Sequence, residues 1–238
     1  MTRHFRYLLL FLMVLTIPLA SLAERIVNQG GIVIDGETVY NPTGNQPSDS
    51  EIKTKTLNPQ AFNNIDILLT ADVIITQGQQ HQITLKAPEH ILALLSANIE
   101  NETLILSSLG NYATTQAVQV FVDVVLLETL RLYGAGDAQL NIQQQPQVKI
   151  HLFGSGSITA TGEVSTLIAA LEGAGELNLE ALRTKNSEVL LSGAGDISVW
   201  ATDTLNAHLS GAGDITVYGS PTTLKQIISG AGDITVFE

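Results

Sequence analysis

Apolar and polar residues alternate with a period of two along most of the chain from Phe62 onward. Leu205, Ala207 and Leu209 interleave with Asn206 and His208, and after a short break Ile215 and Val217 interleave with Thr216 and Tyr218. That period puts successive side chains on opposite faces of a strand, so it predicts strands rather than helices. One segment breaks it: "EHILALLSAN", 89–98, predicts a helix placed to cover the N-terminal end of the fold.

The breaks between alternating runs repeat. "GAGD" at 134, "GSGS" at 154, "GAGE" at 173 and "GAGD" at 193, 211 and 230 follow one another at spacings of 20, 19, 20, 18 and 19 residues. A near-constant period of this size means one structural unit per repeat, stacked on its neighbours. Two residues before the first glycine stand Leu132, Leu152, Leu171, Leu191, Leu209 and Ile228, which predicts one apolar interior column through all six copies.

A strand, a four-residue corner and a second strand in about 19 residues leave no room for a crossover helix or a propeller blade. The unit fits one coil of a parallel β-helix, each strand pairing with its equivalent about 4.8 Å away. Glycine at the corner is expected to permit positive φ and close approach of stacked backbones. The alanine or serine between the glycines is expected to be the largest side chain a tight inner corner accepts. The fourth residue, Asp137, Glu176, Asp196, Asp214 or Asp233, with Ser157 in the remaining copy, is expected to bond nearby backbone amides as a turn former.

The N-terminus differs in kind. Arg3 and Arg6 precede an apolar run from Tyr7 to about Leu15, then Pro18 and the small-residue pattern Ser21, Leu22, Ala23, which predicts a secretory signal peptide over 1–23 cleaved after Ala23. The run is shorter than the roughly 20 residues of a spanning helix, so no stable membrane span is expected after cleavage. Residues 24–58, with "NPTGNQPSDS", read as a flexible arm, and 59–238 as the β-helix.

The net charge of −12 grows more negative once the two leader arginines are removed, which argues against nucleic acid and anionic lipid as partners. The absence of cysteine leaves packing to stabilise a protein bound for an oxidising compartment.

The run "FNNIDILLTADVIITQGQQHQITLKAPEHILALLSANIENETLILSS", then "LETLRLYGAGDAQL" and the repeated "LSGAGDITV", resembles the auto-transporter adhesin head domain, or GIN domain, family over residues 58–238. The resemblance implies an all-β, single-stranded right-handed parallel β-helix and a secreted bacterial protein. It brings no catalytic residues to carry over.

Three constellations hold candidate chemistry. The corner carboxylates should form a column in which unit charges about 4.8 Å apart repel by about 0.9 kcal/mol in water, enough to make Asp196, Asp214 and Asp233 weak candidates for a cation. Calcium takes about six to eight oxygens, however. The corner lacks a GGxGxD loop, so each carboxylate is expected to cap its own turn and no metal or cofactor is expected. Trp200, Tyr218 and Phe237, three residues past Ile197, Ile215 and Ile234, stand on the outward parity of consecutive coils. Such a column marks a surface for a protein or a glycan, or else packs on itself and stiffens the last coils. His151 and His208 fall at equivalent outward positions in non-adjacent coils, too far apart to share a metal.

No nucleophile elbow, phosphate loop or metalloprotease helix is present. The coils between 130 and 238 carry no loop long enough for a cleft wall. The expected function is therefore a non-enzymatic binding or adhesion module in the periplasm or on the surface of a Gram-negative cell, recognising protein or glycan through the side or end of the coil. A homo-oligomer through the C-terminal coil is a further expectation. The rival is a polysaccharide-active enzyme using surface carboxylates.

Overall fold

The structure is a computed structural model that describes residues 32–34, 37–40 and 51–237. The signal peptide assigned to 1–23 and most of the arm assigned to 24–58 lie outside the described residues. The chain divides into two units, Met1–Asp49 and Ser50–Glu238. In the first, β1 (Ile32–Ile34) and β2 (Glu37–Tyr40) pair antiparallel.

In the second unit strands dominate, as the period-two pattern requires; among the described residues 61% are strand and 2% helix. β4 (Asn64–Ile67) and β5 (Asp72–Gln77) form a first coil. The chain then runs through β6 (Gln82–Pro88), a single helical turn α1 (Glu89–Leu92) and β7 (Leu95–Glu100) into a second coil of β8 (Thr103–Ser108) and β9 (Gln119–Val124). From β10 (Thr129–Leu132) it adds one coil per repeat through β11 (Ala138–Leu152), β12 (Ser157–Leu171), β13 (Glu176–Leu179), β14 (Leu182–Leu191), β15 (Asp196–Trp200), β16 (Thr204–Leu209), β17 (Ile215–Tyr218), β18 (Thr223–Ile228) and β19 (Ile234–Val236). Coils of about 20 residues stack in parallel register.

The corner spacings set that register. Leu132 pairs with Leu152, Leu152 with Leu171, Leu171 with Leu191, Leu191 with Leu209 and Leu209 with Ile228. The five leucines are fully buried, and Ile67 and Leu106 extend the column on the other side. Ile228 departs from the expected interior column: it is 49% exposed, because β18 pairs with β16 and with no other described strand.

Spatial order and chain order differ at the start. β4 lies between β8 and β10, and β5 between β9 and β11, so the second coil in sequence is the outermost in space. The N-terminal end is closed by antiparallel strands: β6 on β9, β3 (Ile52–Leu57) on β6, and β7 on β8. Residues 52–57, read from sequence as part of a flexible arm, are therefore a strand of this closure.

The helix expected over 89–98 is confined to one turn, because 95–100 pairs with β8 across a two-residue hairpin turn. Asn101 and Glu102 there have φ of 48° and 60°, the positive values a tight two-residue hairpin needs.

Two corner expectations are corrected. None of the corner glycines has φ in the left-handed region; among the described glycines that conformation belongs to Gly162 and Gly219. The corner glycines are required by contact. A Cβ on Gly195 would stand 1.9 Å from the carbonyl oxygen of Gly175, and one on Gly213 would stand 2.0 Å from that of Gly195. The residue between them, Ala135, Ser155, Ala174, Ala194, Ala212 or Ala231, lies at the surface outside the core, so no inner corner limits its size.

Candidate functional site

Register brings the three predicted aromatics together. Trp200 pairs with Tyr218, and the Phe237 N–H donates to the carbonyl of Val217 at 2.8 Å, which carries the column into the last strand. The Tyr218 and Phe237 rings stack with centroids 5.6 Å apart and planes 21° from parallel. Arg183 on β14 lays its guanidinium over the indole of Trp200, 3.5 Å from the ring centroid. Gly219 bends away beneath the same indole with φ of 92°; a Cβ there would come within 2.7 Å of it. Trp200 and Tyr218 are half-buried, while Phe237 is 51% exposed.

The core helps to fix Trp200. Ser187 interrupts an otherwise apolar interior column of Val148, Leu167 and Leu205. Its hydroxyl lies 2.6 Å from that of Thr184, and both hydroxyls donate to the Trp200 carbonyl. Two buried polar side chains are satisfied in this way, and the backbone beneath the indole is held.

The acidic column does something other than cap its own turns. Asp137 accepts from both the N–H and the hydroxyl of Ser157, at 2.9 and 2.8 Å. Asp196 accepts from the N–H of Asp214, and Asp214 from that of Asp233, each at 2.9 Å. Each of these carboxylates thus bonds one coil onward and ties successive corners together. Where Ser157 precedes it, Glu176 donates its N–H to the Gly156 carbonyl instead, at 3.2 Å. Among the described residues no three His, Asp, Glu or Cys side chains converge on a point that could hold a metal ion.

His151 and His208 do occupy one outward column, in which Arg131, His151, Ala170, Leu190 and His208 follow in register. Burial, and then the neighbouring Arg131 charge, holds the His151 pKa below the usual histidine value. Arg131 itself is paired with Asp66 at 2.8 Å.

A second apolar column was not singled out from the sequence. Leu68, Tyr133 and Phe153, one position beyond the interior Ile67, Leu132 and Leu152, stand outward in consecutive coils and are exposed. The Tyr133 and Phe153 rings stack at 4.8 Å and 8° from parallel. The signal was present: the residue before the first corner glycine is aromatic in the first two copies, and Glu172, Ser192, Ser210 or Ser229 later. Away from both columns, a shallow groove of about 240 Å³ is lined by residues that include Phe62, His81, Glu102 and Leu126. Burial lowers the His81 pKa, and its Nδ1 is shielded with no hydrogen-bond partner among the described residues.

Parallel stacked coils, a largely aliphatic interior and corners built on glycine define a β-solenoid. The chain belongs to the family described as "Putative auto-transporter adhesin, head GIN domain", whose model matches residues 61–221. Among solved structures it is similar to a "putative adhesin" from Bacteroides fragilis, at 23% identity and a TM-score of 0.66, over 82% of this chain and 100% of that one. It is also similar to a "putative adhesin" from Parabacteroides distasonis, at 17% identity and a TM-score of 0.46, over 79% of this chain and 98% of that one. A "putative lipid binding protein" from the same species stands at 16% identity and a TM-score of 0.46, over the same 79% and 98%. The first of these likenesses supports the fold. None of the curated proteins compared with the chain matches it. No helix among the described residues is long and apolar enough to cross a membrane.

Proposed function

We propose that the protein is a non-enzymatic binding module of the cell envelope that holds a partner protein or a glycan against the side of its coil. The observation that carries this reading is the outward aromatic column. Arg183 already lies on Trp200 as a cationic guest would, and Phe237 keeps half its surface free. An adhesin-like family is consistent with such a role. The rival reading, a polysaccharide-active enzyme, draws no support: the carboxylates of Asp137, Asp196 and Asp214 already accept from neighbouring backbone amides, and the groove at Phe62 and His81 lies away from them.

A glycan array followed by analysis of the bound oligosaccharides tests the reading. Binding without shortening is expected, and exchange of Tyr218 and Phe237 for aspartate should weaken it at least about tenfold. Shortened products would overturn the non-enzymatic assignment. Binding that ignores both substitutions would remove the column from the site.

The module works in the periplasm or at the cell surface, delivered by a leader spanning 1–23. Mass spectrometry of the mature protein should find Glu24 first; an intact Met1 would refute the leader. The C-terminal coil is a second contact surface, through which the protein forms a homo-oligomer.

A further inference from the structure

The two ends of the stack are finished differently. At the N-terminal end the outermost parallel coil is closed by antiparallel strands, β6 against β9 and β7 against β8. At the other end all six residues of β18 are exposed, and β16 is the one described strand that pairs with it. Every second N–H and C=O of a strand paired on one side points away from its neighbour, so among the described residues β18 presents an open ladder. Leu224, Gln226 and Ile228 continue the interior columns of Leu205, Ala207 and Leu209, which are buried one coil below. Apolar interior surface and backbone with no second partner among the described residues therefore coincide on one six-residue strand.

We propose that this edge pairs with the same edge of a second copy, β18 against β18 antiparallel, about a two-fold axis through Gln226. The inference rests on the reading that the C-terminal coil is a contact surface and adds the partner, the symmetry and the register.

The sequence of the strand selects that register. Residues directly opposite in an antiparallel pair share a face, so interior side chains meet interior side chains only if the strands slip by even steps. With Gln226 on the axis, Leu224 of each copy faces Ile228 of the other, the two Gln226 side chains face one another, and Lys225 lies across from Ile227. Centring on Lys225 would set two like charges directly opposite, which is unfavourable. The strand, "TLKQII", carries no acid in a chain with 23, so two strongly acidic molecules can approach here without carboxylates meeting on the strand itself. Antiparallel closure of a parallel ladder is also what this chain already does at its other end. A two-fold contact of this kind closes on itself and does not propagate into a filament.

The chain has no cysteine, so a single introduced thiol reports the register. The wild-type secreted protein should scatter light as a dimer. Gln226→Cys should cross-link it on mild oxidation, since directly opposite residues lie about 4.5–5.5 Å apart, within disulfide reach. Lys225→Cys alone should not cross-link, whereas Lys225→Cys combined with Ile227→Cys should. Ile228→Asp, at an exposed position, should give a folded monomer with unchanged circular dichroism. A wild-type monomer, or cross-linking at Lys225 in place of Gln226, overturns the proposal. The glycan array separates this proposal from the binding function: a monomer that still binds defeats only the dimer, and a dimer cross-linked at Gln226 that binds nothing defeats only the binding role.

Discussion

Exchange of Leu191 for aspartate is expected to destabilise the protein by more than about 4 kcal/mol, a large share of the roughly 5–15 kcal/mol that holds a typical domain together. Leu191 is fully buried between Leu171 and Leu209 of the adjacent coils. The substitution removes packing atoms from a column with no slack and places a carboxylate where no donor awaits it. Urea unfolding measures the loss. A midpoint equal to that of wild type would mean that the side chain does not point inward, and the register of the whole repeat would fall with it. The same change at Ile228, half exposed on the last described coil, should cost the fold of the single chain little. The contrast separates a position's place in the pattern from its place in the solid.

The second large effect is expected from the smallest side chain. Gly195→Ala adds one methyl group, 1.9 Å from the Gly175 carbonyl oxygen. Neither atom belongs to a flexible side chain. The two coils are held at this corner by the bond from the Ala194 N–H to the Gly173 carbonyl, at 2.9 Å, so relief of the clash has to stretch the ladder. Overpacking of this kind typically costs about 1–3 kcal/mol, and rigid backbone on both sides places Gly195 at or above the top of that range. Ala194→Ser, next to it, should be neutral within about 0.5 kcal/mol because residue 194 lies at the surface, and Ser155 already fills the equivalent place. Thermal denaturation of both variants is the check. If Ala194→Ser destabilises as much as Gly195→Ala, the corner is limited by side-chain volume and not by backbone contact.

Much of this was legible in the chain, and for a definite reason. Where every copy repeats the same offsets, parity alone places Leu132, Leu152, Leu171, Leu191 and Leu209 inside, and the glycine spacing alone sets which residues pair. The aromatic column followed from the same parity. What parity cannot express is which coil lies on which. Residues 68–72, "LLTAD", form the corner beneath "GAGD" at 134–137, as the Leu69 carbonyl 2.4 Å from a Cβ on Gly134 records, yet they contain no glycine of their own. The lower coil of such a contact offers its carbonyl; the upper one gives up its Cβ. A search for the glycine motif therefore misses the first coil by construction. The hairpin at Asn101–Glu102 was hidden differently: 89–98 holds apolar residues at helical and at strand spacings, and the pairing with β8, a tertiary event, decided between them. Local sequence points the aspartates to the right atoms, backbone amides, but not to the right coil, since it does not say that the nearest available N–H belongs to the next repeat.

The inverted order of the first coils bears on how the chain acquires its shape. β4 and β5 need partners on both sides, and those partners, β8 with β9 and β10 with β11, come later in the chain. A growing or emerging polypeptide cannot complete its first layer until residues through Asn141 are present, and ring closure over such separations has to precede most of the reward from burial. Every later layer is different. It adds about 20 residues to a finished surface, with its partner strand always the one just laid down. Such a topology is expected to close its first coils slowly and then to zip up layer by layer, with the carboxylates of Asp137, Asp196 and Asp214 as the teeth that catch as each new layer closes.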